Sequence, residues 1–274
     1  MGESRGGPVY KGWGRVPDWA LLLFAALIYL FLYAPILVLV IFSFNSTRST
    51  QVWTGFSLEW YGVLIGDQSI LDAFRISMIV GVTATVIATV IGTLTALAMT
   101  RYHFRGKTVA DSTIYAATVM PEIVVGVSLL VFFVAAGFAL GITTIIIAHV
   151  AFTISFVTIV VRARLSGMDQ SVEEAAQDLG ANPIQTFLRV TLPLILPGVM
   201  AGALLAFTLS FDDFVITFFV AGVGSSTLPL KIYSMIKFGV SPVINALSTV
   251  VLVATVILIL GGGRILARRQ DKAS

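Results

Sequence analysis

The stretch MDQSVEEAAQDLGANPIQTFLRVTLPLILP, Met168 to Pro197, decides how the rest of the chain is read, because polar side chains persist here inside an otherwise apolar sequence. Ser171 followed by Glu174 has the spacing of a capping box, in which the hydroxyl accepts from an orphan N–H and the carboxylate reaches back. The predicted helix passes through Ala175, Ala176 and Leu179. It stops at Gly180, which is free to take the left-handed conformation that closes a helix. Asn182 is placed to cap a second helix, with Pro183 at its first position, where a missing N–H costs nothing. Ile184, Phe187 and Leu188 share one face of that helix until Pro193 and Pro197, which are expected to interrupt it. Two short helices with a bend, bounded by long apolar runs, make a docking element and not a core.

The flanking composition places this element beside a membrane. Of 274 residues, 57% are hydrophobic and 11% charged, whereas soluble domains carry about 25% charged residues. Several apolar runs exceed the roughly 20 residues that cross a hydrocarbon core. The net charge of +3 invites no nucleic-acid reading, because the basic residues flank the apolar runs instead of clustering on a soluble face. Without cysteine there is neither a disulfide framework nor a thiolate metal site. The first apolar run is too long for a cleavable signal and reads as a retained span.

Six spans are predicted, at about 19–42, 73–100, 112–136, 142–161, 198–220 and 243–260, making an all-α membrane protein. The span domain covers 19–265, with tails at 1–18 and 266–274 and the central loop at 162–197. Ser57 to Tyr61 reads as a short interfacial helix, since Trp60 and Tyr61 prefer the headgroup level. The second span is rich in Thr, Gly and Ala, and the fifth opens with Gly198-x-x-x-Gly202, both patterns of close helix approach. Lys and Arg concentrate at one side: Arg5, Lys11 and Arg15, the turn Arg101 to Lys107, Arg162, Arg164 and Arg189, and the tail from Arg264 to Lys272. The other side holds Arg48, Arg75, Lys231 and Lys237. By the positive-inside rule both termini and the central loop are cytoplasmic.

Three carboxylates stand inside apolar runs: Glu122 in MPEIVVG, and Asp212 with Asp213 in FTLSFDDFVITFF. A charge at membrane depth is costly unless it faces protein or water, which makes each a candidate for function. On straight helices Glu122 lies roughly 16 Å beyond Asp111, near the midplane, and Asp212 roughly 24 Å beyond Leu196, in the outer half. Adjacent helical positions diverge by about 100°, so the two aspartates cannot both point down one pathway. Phe211, Phe214 and Phe218 then fall on one face. Carboxylates beside aromatic rings suit an organic cation, through charge and cation–π attraction. His103 and His149 are far apart in sequence and read as a basic-turn residue and a satisfied span-end residue. No spacing for a metal or a catalytic nucleophile occurs. Arg105-Gly106-Lys107-Thr108 only ends like a Walker A loop, so the chain is not its own ATPase. Asn45-Ser46-Thr47 is an accidental glycosylation triplet.

Glu174-Ala175-Ala176, Gly180 and Val190-x-Leu192-Pro193 resemble the EAA loop of ABC-importer permeases, with Val where Ile is common. Leu32 to Leu37, Phe42 to Asn45, Trp60-Tyr61, Met120-Pro121-Glu122 and Phe207 to Asp213 further resemble the second permease subunit of polyamine importers of the spermidine/putrescine type. At Glu122 relatives often have Asp. The resemblance implies a type I ABC-importer permease fold. Its implied partners are a homologous second permease, a cytoplasmic ATPase dimer that binds ATP and Mg²⁺, and a periplasmic binding protein. The chain itself is then no enzyme and holds no cofactor or metal. Glu173, Glu174, Ala175, Ala176, Gly180, Pro183 and Phe187 would couple to the ATPase. Glu122, Asp212, Asp213, Phe211 and Phe214 would line the path of a polyamine. The rival readings are an importer of another cationic solute, such as ferric ion or an opine, and an autonomous proton-coupled amine carrier, although inverted repeats are not evident.

Overall fold

A computed structural model describes residues 18–49, 52–237, 239 and 241–270, the last stretch from 258 as backbone only. Arg5, Lys11, Arg15 and Lys272, counted in the predicted tails, lie outside the described residues. In chain order the helices are α1 (Asp18–Phe42), α2 (Glu59–Gly66), α3 (Gln68–Arg101), α4 (Lys107–Val119), α5 (Glu122–Ala135) and α6 (Ile142–Ser166). There follow α7 (Ser171–Asp178), α8 (Pro183–Thr186), α9 (Leu192–Asp212), α10 (Val215–Val220), α11 (Leu228–Lys237) and α12 (Pro242–Gln270). The chain divides into two units, residues 1–62 with 241–256, and residues 63–240 with 257–274.

In the first unit α1 is apolar all round and buries none of its span, as expected of a helix whose surroundings are lipid or another subunit. The loop after it is ordered by Asn45. Its Nδ2 donates to the carbonyls of Ser49 (2.7 Å) and Val52 (2.8 Å), and its Oδ1 accepts from the Thr54 N–H (2.9 Å). The buried Trp60 donates its indole N–H to the Asn45 carbonyl at 2.6 Å. Asn45 is fully buried and locks a turn, its Nδ2 engaged by backbone carbonyls. The interfacial helix starts slightly later than predicted, with the Ser57 hydroxyl accepting from the Glu59 N–H.

The second unit is built on α3, α6 and α9, which pack together over two apolar clusters. Ala88, Ala96, Val157, Val161, Leu165, Ile195 and Ala206 join those three helices. Val80, Phe133, Ile145, Ala148, Phe152, Ile216 and Val220 tie α3 and α6 to α5 and α10. Ser77, Gly81, Ala84, Ala88, Gly92 and Ala96 form the buried stripe of α3. Small residues at this spacing let membrane helices approach closely, since lipid supplies no hydrophobic drive between them.

Four described helices are long and apolar enough to cross a membrane: Trp19–Phe42, Gln68–Arg101, Ile142–Ser166 and Pro183–Asp212. The predicted third span is not one rod. It breaks at Met120–Pro121 into α4 and α5, which meet at 111°, because a proline disfavours helix in the residue before it. The straight-helix depth assigned to Glu122 therefore does not hold. The predicted fifth span differs in both directions. It begins at Pro183 and continues through Pro193 and Pro197 to Asp212. A π-helical turn, Phe187–Thr191, precedes Pro193. The Leu192 N–H there reaches back to the Phe187 carbonyl, a local adjustment that lets a helix tolerate the proline. At its other end the span stops at Asp212, and Asp213 is extended at φ −65°, ψ 123°.

Asp67 caps α3, its Oδ1 accepting from Ser69 N (2.9 Å), Ser69 Oγ (2.6 Å) and Ile70 N (3.4 Å). The Ser69 hydroxyl, with these amides and the Lys231 charge, holds the Asp67 carboxyl below its ordinary value. Asp67→Ala is expected to cost about 1 kcal/mol, the usual worth of such a cap, measured by thermal unfolding in detergent. With a lowered folded pKa, the cap's contribution is complete above the unfolded value and fades as pH falls through the folded one. The wild-type advantage over Asp67→Ala should therefore persist at pH 7 and vanish in strong acid.

Candidate functional site

Both helix breaks carry carboxylates. Pro121 precedes the first residue of α5, Glu122, whose charge suits the positive end of that helix. Asp212 ends α9, and Asp213 lies in the gap before α10. Close approach of α5 to α10 brings the two breaks together. A Cβ built on Gly126 would lie 2.7 Å from Phe219 Cδ2 and 3.3 Å from the Ile216 Cα, so α5 seats against α10 only with glycine there.

The aspartates do different things. Asp213 is buried, and its Oδ1 accepts from Ile216 N (3.2 Å) while its Oδ2 accepts from Thr217 N and Thr217 Oγ1 (both 2.8 Å). It thus satisfies the free amides at the start of α10. His149 Nε2, on α6, lies 3.2 Å from the same Oδ2 and 3.0 Å from Thr217 Oγ1. His149 Nδ1 meets Ser210 Oγ, in the last turn of α9, at 2.7 Å. With the Nε2 proton facing the carboxylate, Nδ1 accepts from Ser210. One imidazole on α6 therefore fastens both sides of the break. His149 is satisfied, as predicted, but within the helix and by a site residue. Asp212 is exposed and among the described residues makes no hydrogen bond or ion pair. Glu122 is also exposed. The predicted 100° divergence of two helical aspartates is replaced by the break itself.

The phenylalanine stripe divides in the same way. Phe211 stacks on Phe207 (5.6 Å between centroids) and meets Phe74 edge-on (6.4 Å). Phe214 lies 4.5 Å from Tyr233 and 5.6 Å from Phe218. Tyr233, on α11, belongs to this second group and carried no signal in the sequence, lying between the predicted fifth and sixth spans.

At the predicted docking element, α7 closes as expected. Gly180 takes φ +90°, its N–H bonds the Gln177 carbonyl (2.8 Å) and the Ala181 N–H bonds that of Ala176 (3.1 Å). This is the paired closure that left-handed glycine permits. The start differs from the prediction, because Ser171 is already helical and the Asp169 carboxylate accepts its N–H at 2.9 Å. Hydrogen bonds from the Ser171 amide and hydroxyl hold the Asp169 carboxyl low. Asn182 and Gln185 cap α8 reciprocally, with Pro183 at the first position. Glu174, Ala175, Pro183 and Leu179 are exposed, Leu179 to 90%, whereas Ala176, Phe187 and Glu173 are partly covered.

Broken apolar helices around one charged gap, with a short polar helix pair held at a span end, describe a transport subunit, and the chain belongs to the family of binding-protein-dependent transport system inner membrane components, whose model matches residues 88–272. It is a membrane transport component and not an enzyme. It is 42% identical over 251 residues to the spermidine/putrescine transport system permease protein PotC of Escherichia coli (strain K12), covering 92% of this chain and 95% of that protein. To the putrescine transport system permease protein PotI of the same strain it is 45% identical over 229 residues, covering 81% of this chain and 82% of that protein. Among solved structures, a chain of a bacterial ABC transporter involved in alginate import matches at a TM-score of 0.75 and 16% identity, covering 94% of this chain and 99% of that one. The MetNI methionine ABC transporter matches at 0.60 and 20% identity, covering 78% and 99%. These structures share the fold.

Proposed function

We propose that this chain is the permease through which an ATP-driven importer passes a polyamine of the putrescine/spermidine class from a periplasmic binding protein to the cytoplasm. The observation that carries this reading is the similarity, over nearly the whole chain, to permeases of spermidine/putrescine and putrescine systems. The gap geometry fits it, because exposed Asp212 and Glu122 leave negative charge free for ammonium groups, with aromatic rings beside them. A homologous second permease and a cytoplasmic ATPase dimer complete the importer; the exposed face of α7 is where the ATPase docks. The test is uptake into proteoliposomes holding this chain, its partner permease and ATPase, with the binding protein added. ATP-dependent accumulation of labelled putrescine or spermidine is the expected result, and accumulation of ferric ion without either polyamine would overturn it.

With the bent α4–α5 pair taken as one span and α12 as the sixth, the Lys/Arg asymmetry puts both termini in the cytoplasm. The chain contains no cysteine, so single cysteines report cleanly. Leu58→Cys and Gln177→Cys are expected to label from the outer and inner sides respectively with a membrane-impermeant maleimide. Labelling from one side would overturn this topology.

A further inference from the structure

We infer that Glu173 is not an ATPase contact but the joint through which movement of α7 reaches the spans. The inference rests on the ATP-coupled reading above. Glu173 and Ala176, three residues apart on α7, are the partly covered positions of that helix, and the rest of it is exposed. Glu173 Oε2 lies 3.0 Å from Arg101 Nη2, the last residue of α3, and both side chains are about 15% exposed (14% and 15%). Glu173 Oε1 accepts from Thr191 Oγ1 at 2.7 Å. Thr191 is buried and ends the π-helical turn that leads into α9. One carboxylate thus holds α3 with one oxygen and α9 with the other.

Both attachments are hard to leave unmade. Arg101 Nε and Nη2 are both buried without a hydrogen-bond acceptor among the described residues, so the 3.0 Å contact from Nη2 holds by charge and not by an aligned hydrogen bond, and Glu173 is the charge that compensates this guanidinium. Separating them strands a charge in a poorly hydrated place. The π-helical turn is a local departure from regular helix, of the kind found most often at functional sites. Glu174, the next residue and about 100° round the helix, is exposed. Neighbouring glutamates therefore serve different sides of one helix, Glu174 toward the ATPase and Glu173 toward the membrane core.

The experiment uses the whole complex in proteoliposomes with labelled putrescine, comparing Glu173→Gln, Arg101→Glu and the exchange Arg101→Glu with Glu173→Arg. Glutamine keeps an acceptor for Thr191 and removes the ion pair. We expect Glu173→Gln to retain the ATPase subunit through purification and to hydrolyse ATP within about two-fold of wild type, while putrescine carried per ATP falls roughly ten-fold, a typical size for a coupling between sites. The exchange should recover most of that ratio, which a general loss of fold would not allow. Wild-type stoichiometry in Glu173→Gln would overturn the inference. So would loss of the ATPase subunit, which would make Glu173 a docking residue, or an exchange no better than Arg101→Glu alone. If wild type itself shows no ATP-dependent uptake, it is the transport reading that fails.

Discussion

Replacing Asp212 by Asn, or Glu122 by Gln, is expected to cut polyamine uptake by roughly ten- to a hundred-fold while the complex still assembles and hydrolyses ATP. The size follows from hydrogen bonding to a charged group, about 1.5–3 kcal/mol, at about 1.4 kcal/mol per ten-fold in rate. Both substitutions keep size and polarity, so they isolate charge. A polyamine entering a narrow path sheds water from at least two ammonium groups, and fixed carboxylates offset that loss because a protein interior screens charge far less than water does. Asp212 and Glu122 suit this because they are exposed and, among the described residues, hold no partner. Uptake by both neutral variants at wild-type rate would remove the carboxylates from the cargo path. Uptake should also retain a modest apparent affinity, since a site that holds cargo tightly does not release it.

The close of α7 and the start of α8 were legible because capping chemistry is local: Gly180, Asn182 and Pro183 each satisfy or avoid a backbone group within four residues. The class was legible because membrane spans are written in composition and length. The breaks were not, although each left a trace. Met120-Pro121-Glu122 has the grammar of a helix start, a proline before an acidic first turn, but long apolar runs on both sides outweighed it. Asp213 followed by Ile216 and Thr217 is likewise a capping spacing, hidden by reading 198–220 as one rod. Once the rod breaks, Phe211 parts from Phe214 and Phe218, which stay together, and periodicity across the break could not foresee it. His149 was unreadable as a site residue for another reason. Its partners, Ser210 and Asp213, lie 61 and 64 positions away in sequence, and a lone histidine in an apolar run carries no hint of them.

That triangle sets the second large effect. Asp213→Ala removes the acceptor for two amides, a hydroxyl and an imidazole at once, and His149→Ala leaves the buried Asp213 carboxylate without its ring partner. Each hydrogen bond to a buried carboxylate of this kind is worth about 1.5–3 kcal/mol, a sizeable part of the stability of most folds. We therefore expect both variants to lower the yield and thermal midpoint of the purified complex, with uptake falling in proportion to the protein recovered. His149→Gln, which can still reach from α6 toward one side of the break, should lose less. The contrast with Asp212 carries the argument. Asp212→Asn should leave a stable complex that fails to transport, and Asp213→Asn should leave less complex whose surviving molecules transport. A stable Asp213→Asn complex with uptake abolished would show instead that the cargo reaches Asp213, and that the break opens around His149 during transport.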